Sequence, residues 1–170
     1  MWRLIFGIFG GLIVLALAVL VLVREDRQVN TEIVVDAPLA AVWQVLGDTA
    51  RYPEWNPFIR SLKGEKRAGG RIHVALDFAG PGPKEYDATL LGFIVDHEIR
   101  WEYELLIPGL FSGKHKLIID SLDDGRTKLR HEEEIRGLLA GPVTASYLEQ
   151  LRAGFKAMNI ALKKRVEDGG

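Results

Sequence analysis

Cysteine is absent from the 170 residues, so no disulfide holds the fold and no thiol serves as nucleophile or metal ligand. That absence leaves both oxidising and reducing compartments open. There is no basic excess either. The net charge is −1, and beyond the pair Lys163–Lys164 no basic block exists, which speaks against nucleic acid as a partner. Internal repeats, low-complexity tracts and long linkers are missing. So are a Gly-rich nucleotide fingerprint, a nucleophile elbow and an H-x-H or H-E-x-x-H zinc pattern, and neither a cofactor nor a metal is expected.

One long apolar run is present. Residues 4–23, LIFGIFGGLIVLALAVLVLV, carry no charge. As a helix they would extend about 30 Å, the thickness of bilayer hydrocarbon. They read as a single-pass transmembrane anchor, with a cleaved signal peptide as the alternative, since Ala16–Leu17–Ala18 has small residues at a cleavage-like spacing. Basic residues on the two sides nearly balance, so the side of the membrane is not specified. Gly7 and Gly11 form a G-x-x-x-G pair, whose spacing lets two helices approach and suggests a homodimer through the anchor. This divides the chain into an anchor and joint, 1–27, and one domain, 28–170.

Within the domain the hydrophobic period changes repeatedly. Residues 28–36 favour β-branched side chains and predict a strand. Asp36 before Pro38 predicts a capped helix carrying Leu39, Val42, Trp43 and Leu46 on one face and ending at Gly47. A short turn capped by Asp48 is expected to end at Pro53. About six strands follow. Ile72, Val74, Leu76 and Phe78 share a face, as do Trp101, Tyr103, Leu105 and Ile107, with a break near 95–97. Asp123–Asp124–Gly125 marks a hairpin. Matching its faces calls for an odd-length connection such as 124–126, which puts Ile119 near His131 and Leu117 near Glu133. Gly109 and Gly113 bracket a loop whose Leu110 and Phe111 suit contact with lipid. Last comes a long helix with Pro142 in its first turn and a stripe of Tyr147, Leu151, Phe155, Met158 and Leu162.

A sheet with one apolar face, curled about that stripe, leaves room for a hollow. The order of elements, with VDAPLAAVWQVLGDTARYPEWNPFIRSL, GEKRAGGRIHVAL, HEEEIRGLL and FKAMNIALKKRVE, resembles the START-like (SRPBCC) superfamily, in its polyketide cyclase/dehydrase-like branch, over about residues 30–167. The resemblance implies an α+β helix-grip fold: a curved antiparallel sheet around a long C-terminal helix, here preceded by the transmembrane helix. It also implies a cavity for a hydrophobic small molecule or lipid, with the turn Trp55–Asn56–Pro57–Phe58 closing its mouth. A cyclase, aromatase or dehydratase activity and a protein-interaction module at the membrane are the alternatives.

Candidate ligand-binding residues are Trp55, Asn56, Phe58, Trp101, Tyr103, His115, His131, Glu133, Phe155 and Asn159. His131 and Glu133 carry the most information, because a strand face that also holds Leu129 and Ile135 has to pair or solvate them. An imidazole beside a carboxylate is a candidate acid/base pair. His73 and His97 read as surface residues. Asn56 suits either a polar contact at the mouth or a bond to its own turn.

Overall fold

The computed structural model describes residues 2, 10, 11, 26–78, 80, 82–105, 109–137, 139, 140 and 145–169. Residues 4–23, apart from Gly10 and Gly11, lie outside this set, and with them the anchor and the Gly7–Gly11 pair. No helix among the described residues is long and apolar enough to cross a membrane.

Strand β1, Arg27–Val35, leads into helix α1, Leu39–Leu46. A 3-10 turn, Thr49–Arg51, and one helical turn, α2, Tyr52–Trp55, follow. Six strands come next: β2 (Ile59–Gly64), β3 (Arg71–Leu76), β4 (Lys84–Ile94), β5 (Glu98–Leu105), β6 (Phe111–Ser121) and β7 (Thr127–Arg136). Helix α3, Ala145–Glu167, closes the chain. All seven strands form one antiparallel sheet in the order β1-β7-β6-β5-β4-β3-β2. The first strand therefore pairs with the last, and every other neighbour is a hairpin partner.

Alternation sets the faces. On β7 the odd positions Thr127, Leu129, His131, Glu133 and Ile135 are buried, while their even neighbours are only partly covered or exposed. Helix α3 lays Leu151, Phe155, Met158, Asn159 and Leu162 on this inner face. Its C-terminal end is pinned to β1: the Lys163 ammonium donates to the Val34 carbonyl at 2.9 Å and to Asp36 at 3.0 Å.

Several expectations need correction. Asp36 does not cap α1. Pro38 holds the cap position, and Asp36 instead pairs with Lys163 while its own N–H donates to Glu167 at 2.7 Å. Pro53 does not stop the second helical piece, because it sits in the first turn of α2 where its missing N–H costs nothing. Phe111 to Gly113 is strand, not loop. The β6–β7 register is displaced by two residues: Ile119 faces Leu129, Leu117 faces His131, and His115 faces Glu133. The connection is odd in length as expected, yet five residues long. It is closed by Leu122 N–H on the Arg126 carbonyl at 2.8 Å, with Gly125 at φ 82°. That left-handed residue fixes the turn.

The two ends of the sheet differ. At one lie the start of β1, the β3–β4 and β5–β6 connections and the exit of β7 towards α3. At the other lie the β2–β3, β4–β5 and β6–β7 connections. The first is the loop end.

Candidate functional site

Four neighbouring strands and one helix bring polar side chains together inside the curl. β5 contributes Tyr103, β6 His115, β7 His131 and Glu133, α3 Asn159 and β1 Thr31. The displaced register is what assembles them, since it sets His115 directly opposite Glu133.

The result is a continuous hydrogen-bonded chain. The Tyr103 hydroxyl donates to Glu133 Oε1 at 2.8 Å. Glu133 Oε2 lies 2.6 Å from His115 Nδ1, and His115 Nε2 lies 2.8 Å from His131 Nε2. His131 Nδ1 reaches Asn159 Oδ1 at 3.1 Å, and Asn159 Nδ2 donates to Thr31 Oγ1 at 3.0 Å. His115, His131, Glu133 and Asn159 are all at most 2% exposed.

Directions along this chain follow from its far end. Asn159 presents a carbonyl to His131, so His131 Nδ1 carries a hydrogen and, when the ring is neutral, Nε2 accepts. His115 then donates from Nε2, and its Nδ1 is left to share a proton with Glu133. One proton thus sits between the carboxyl and the imidazole. Burial decides where. Desolvation pushes Glu133 up to about 8 and His115 down to about 3, and holds His131 well below its usual value. The proton rests on Glu133 and the whole chain is neutral.

Aromatic rings seal it. Trp101 stacks on His115 with centroids 4.0 Å apart, and Phe155 stacks on His131 at 3.6 Å. The two stacks meet at 65° through the imidazoles. Phe58 packs edge-on to Phe155 and Phe78. These side chains were expected to line a hollow, but they are packed on one another. The two imidazoles and the carboxylate are also spent on each other, and among the described residues no group of His, Asp and Glu is placed to hold a metal.

Toward the loop end the character changes. Phe78, Tyr86 and Tyr147 are only partly covered. Tyr86 lies 4.5 Å from the Tyr103 ring and Phe78 lies 5.7 Å from Tyr147. Burial and the nearby Glu133 raise Tyr147 to about 12. This aromatic wall leads from the loop end to the Tyr103 end of the chain.

The predicted turn at 55–58 divides its residues. Phe58 enters the inner face. Trp55 turns away, onto Tyr52 at 5.3 Å, and lines a 430 Å³ groove with Val45, Arg51 and Arg165 between α1 and the end of α3. Asn56 serves the turn: its Oδ1 accepts from the N–H groups of Phe58 and Ile59 at 3.0 and 2.8 Å. A second concavity, of 590 Å³, lies over the outer face between Thr89, Glu102, Lys114 and Glu134. His73 and His97 are exposed.

Sequence reasoning missed two glycines that make the site possible. A Cβ on Gly113 would lie 2.2 Å from Tyr103 Cζ and 2.5 Å from Glu133 Oε1, so only glycine leaves space for that bond. A Cβ on Gly154 would meet the Phe58 ring at 2.2 Å. The signal for the first was available, since an isolated glycine inside a strand marks close approach. Thr31 gave no signal, because a β-branched residue in a strand is ordinary.

Residues 26–167 match the model of a family described as polyketide cyclase / dehydrase and lipid transport. No curated protein matches the chain. Among solved structures, the Zhui aromatase/cyclase from Streptomyces sp. R1128 is similar at 22% identity and a TM-score of 0.64, covering 86% of this chain and 99% of its own. A START superfamily protein from Mycobacterium smegmatis is similar at 17% identity and TM-score 0.65, covering 83% and 97%. Norcoclaurine synthase from Thalictrum flavum is similar at 15% and 0.62, covering 86% and 97%. At such identities these likenesses concern the fold.

Proposed function

We propose, from the premise that this chain belongs to the polyketide cyclase / dehydrase and lipid transport family, that it binds a hydrophobic small molecule or lipid at the loop end of the inner face. The observation that carries this reading is the aromatic wall of Phe78, Tyr86 and Tyr147 ending on the Tyr103–Glu133 hydrogen bond. An apolar body gains about 25 cal/mol for each Å² it withdraws from water against such a wall. Tyr103 and Glu133 form the polar end of this wall, where a hydroxyl or carboxyl on the guest would be oriented. The neutral chain behind them suits an uncharged contact. The apolar run 4–23 supports tethering of this domain to a membrane, where such guests partition.

A fluorescent apolar probe tests the reading. The full chain in detergent should bind 1-anilinonaphthalene-8-sulfonate at one site, with binding weakened by Tyr86→Ala and by Tyr147→Ala. Equal binding by these variants would count against the loop-end site.

One observation favours a second reading, an acid/base enzyme of cyclase or dehydratase type. Glu133 and His115 sit 2.6 Å apart with ionisation pushed in opposite directions, which is how an acid is kept protonated near neutral pH. Glu133→Gln separates the two. A binder keeps its guest in that variant, whereas an enzyme using the Glu133 proton loses turnover.

A further inference from the structure

Three residues, Arg24 to Asp26, separate the apolar run from β1. Between Val23 and Arg27 the chain reaches at most about 14 Å even when fully extended. Arg27 stands opposite Ile135, at the loop end of the sheet. If residues 4–23 span a bilayer, the loop end is therefore the end held against it, and the far end of the nine-residue β1 stands off by up to about 30 Å.

Composition divides the two ends in the same sense. The stretches 78–83, 105–113 and 137–148 contain no charged residue at all. At the opposite end, 63–71 reads KGEKRAGGR, 95–97 reads VDH and 122–126 reads LDDGR. The described part of the loop end forms a joined surface. Leu139 N–H donates to the Leu110 carbonyl at 3.0 Å, holding the turn before β6 beside the turn after β7. Leu105 is 38% exposed, and Leu110, Phe111 and Leu139 are partly exposed.

We infer that this loop end, presented by Leu105, Leu110, Phe111 and Leu139, is a lipid-facing surface, so that a guest passes between the bilayer and the Phe78–Tyr86–Tyr147 wall without crossing water. The inference rests on the anchor and loop-end readings above. Basic and acidic groups at this end nearly cancel: Arg27 and Arg136 stand near Asp26 and Glu134, and Arg136 lies 3.7 Å from Asp26. Apolar contact and the tether hold the surface in place, and added salt should not release it.

The cysteine-free chain allows a direct test. Leu110→Cys and, at the opposite end, Asp123→Cys are each labelled with an environment-sensitive fluorophore in the full chain, reconstituted in phosphatidylcholine vesicles. A blue shift at Leu110→Cys, with quenching by a lipid-borne quencher and loss of quenching by aqueous iodide, is the expected result. Asp123→Cys should show the reverse. Vesicle flotation after alkaline carbonate reports on the anchor separately. A chain that fails to float overturns both readings. A chain that floats, yet shows Leu110→Cys as open to iodide as Asp123→Cys, overturns this inference alone. Shielding that grows with protein-to-lipid ratio would point to a second copy on this surface and would also overturn it.

Discussion

Glu133 holds the arrangement together at the residue scale. Its two oxygens join Tyr103 to His115, and its proton lets every later donor point the same way. Glutamine reproduces that pattern, donating to His115 and accepting from Tyr103. Glu133→Gln should therefore fold with a stability within about 1 kcal/mol of the parent near pH 6. The pH dependence has a definite sign. Glu133 is raised from 4.5 to about 8, so the native state holds the extra proton; stability is full below about 4.5 and declines as pH rises to about 8. His115 is lowered from 6.5 to about 3, so its contribution is full above 6.5 and lost as pH falls toward 3, and His131 acts in the same direction. The opposing slopes predict a maximum near pH 6.5. Chemical denaturation across pH 4–9 should show the alkaline limb in the parent and a flatter one in Glu133→Gln. Gly113→Ala tests the space instead. It drives a methyl group into the Tyr103–Glu133 bond and should cost about 1–3 kcal/mol in the same assay.

Sequence reading had reached part of this site. A histidine and a carboxylate on a strand face shared with Leu129 and Ile135 signalled a buried polar group. Asn159 signalled itself by interrupting the α3 stripe. Gly113 reads as a loop residue in the sequence, because its value depends on Tyr103, paired with it across β5, and on Glu133 of β7, not on its neighbours in sequence.

At the element scale the strands and helices were legible because each hydrophobic period is clean. What was not legible was their offset. Parity gave the correct faces for β6 and β7, since an odd connection is needed to match them. The choice between three and five residues depends on the dihedral angles of the turn, and Gly125 at φ 82° sets them. The error mattered: a two-residue shift separates His115 from Glu133 and breaks the chain. Nothing lies within 4 Å of a Cβ built on Gly125, so Gly125→Ala carries only the conformational cost of a left-handed residue. Loss of about 1–2 kcal/mol is expected in thermal or denaturant unfolding, with the buried chain intact in the folded protein.

Considered as a whole molecule, the domain divides along its long axis. The half around Trp101, His115, His131 and Phe155 is packed ring against ring and gives the curl a solid floor. The half toward the loop end carries the partly covered tyrosines and the charge-free connections. Curvature of the sheet and the long helix could be foreseen from the apolar stripes, but the filling of the interior could not. Whether a curled sheet is hollow depends on whether inner side chains meet, and here the imidazoles bridge the gap between Trp101 and Phe155. On the proposed reading, this packing leaves the loop end as the place for a guest. Native mass spectrometry of the full chain released from detergent or nanodiscs tests this most directly. A single apolar guest per chain, with its occupancy reduced in Tyr86→Ala and retained in Glu133→Gln, is the predicted spectrum; a guest-free chain in every preparation, including after incubation with a total lipid extract, would contradict the account.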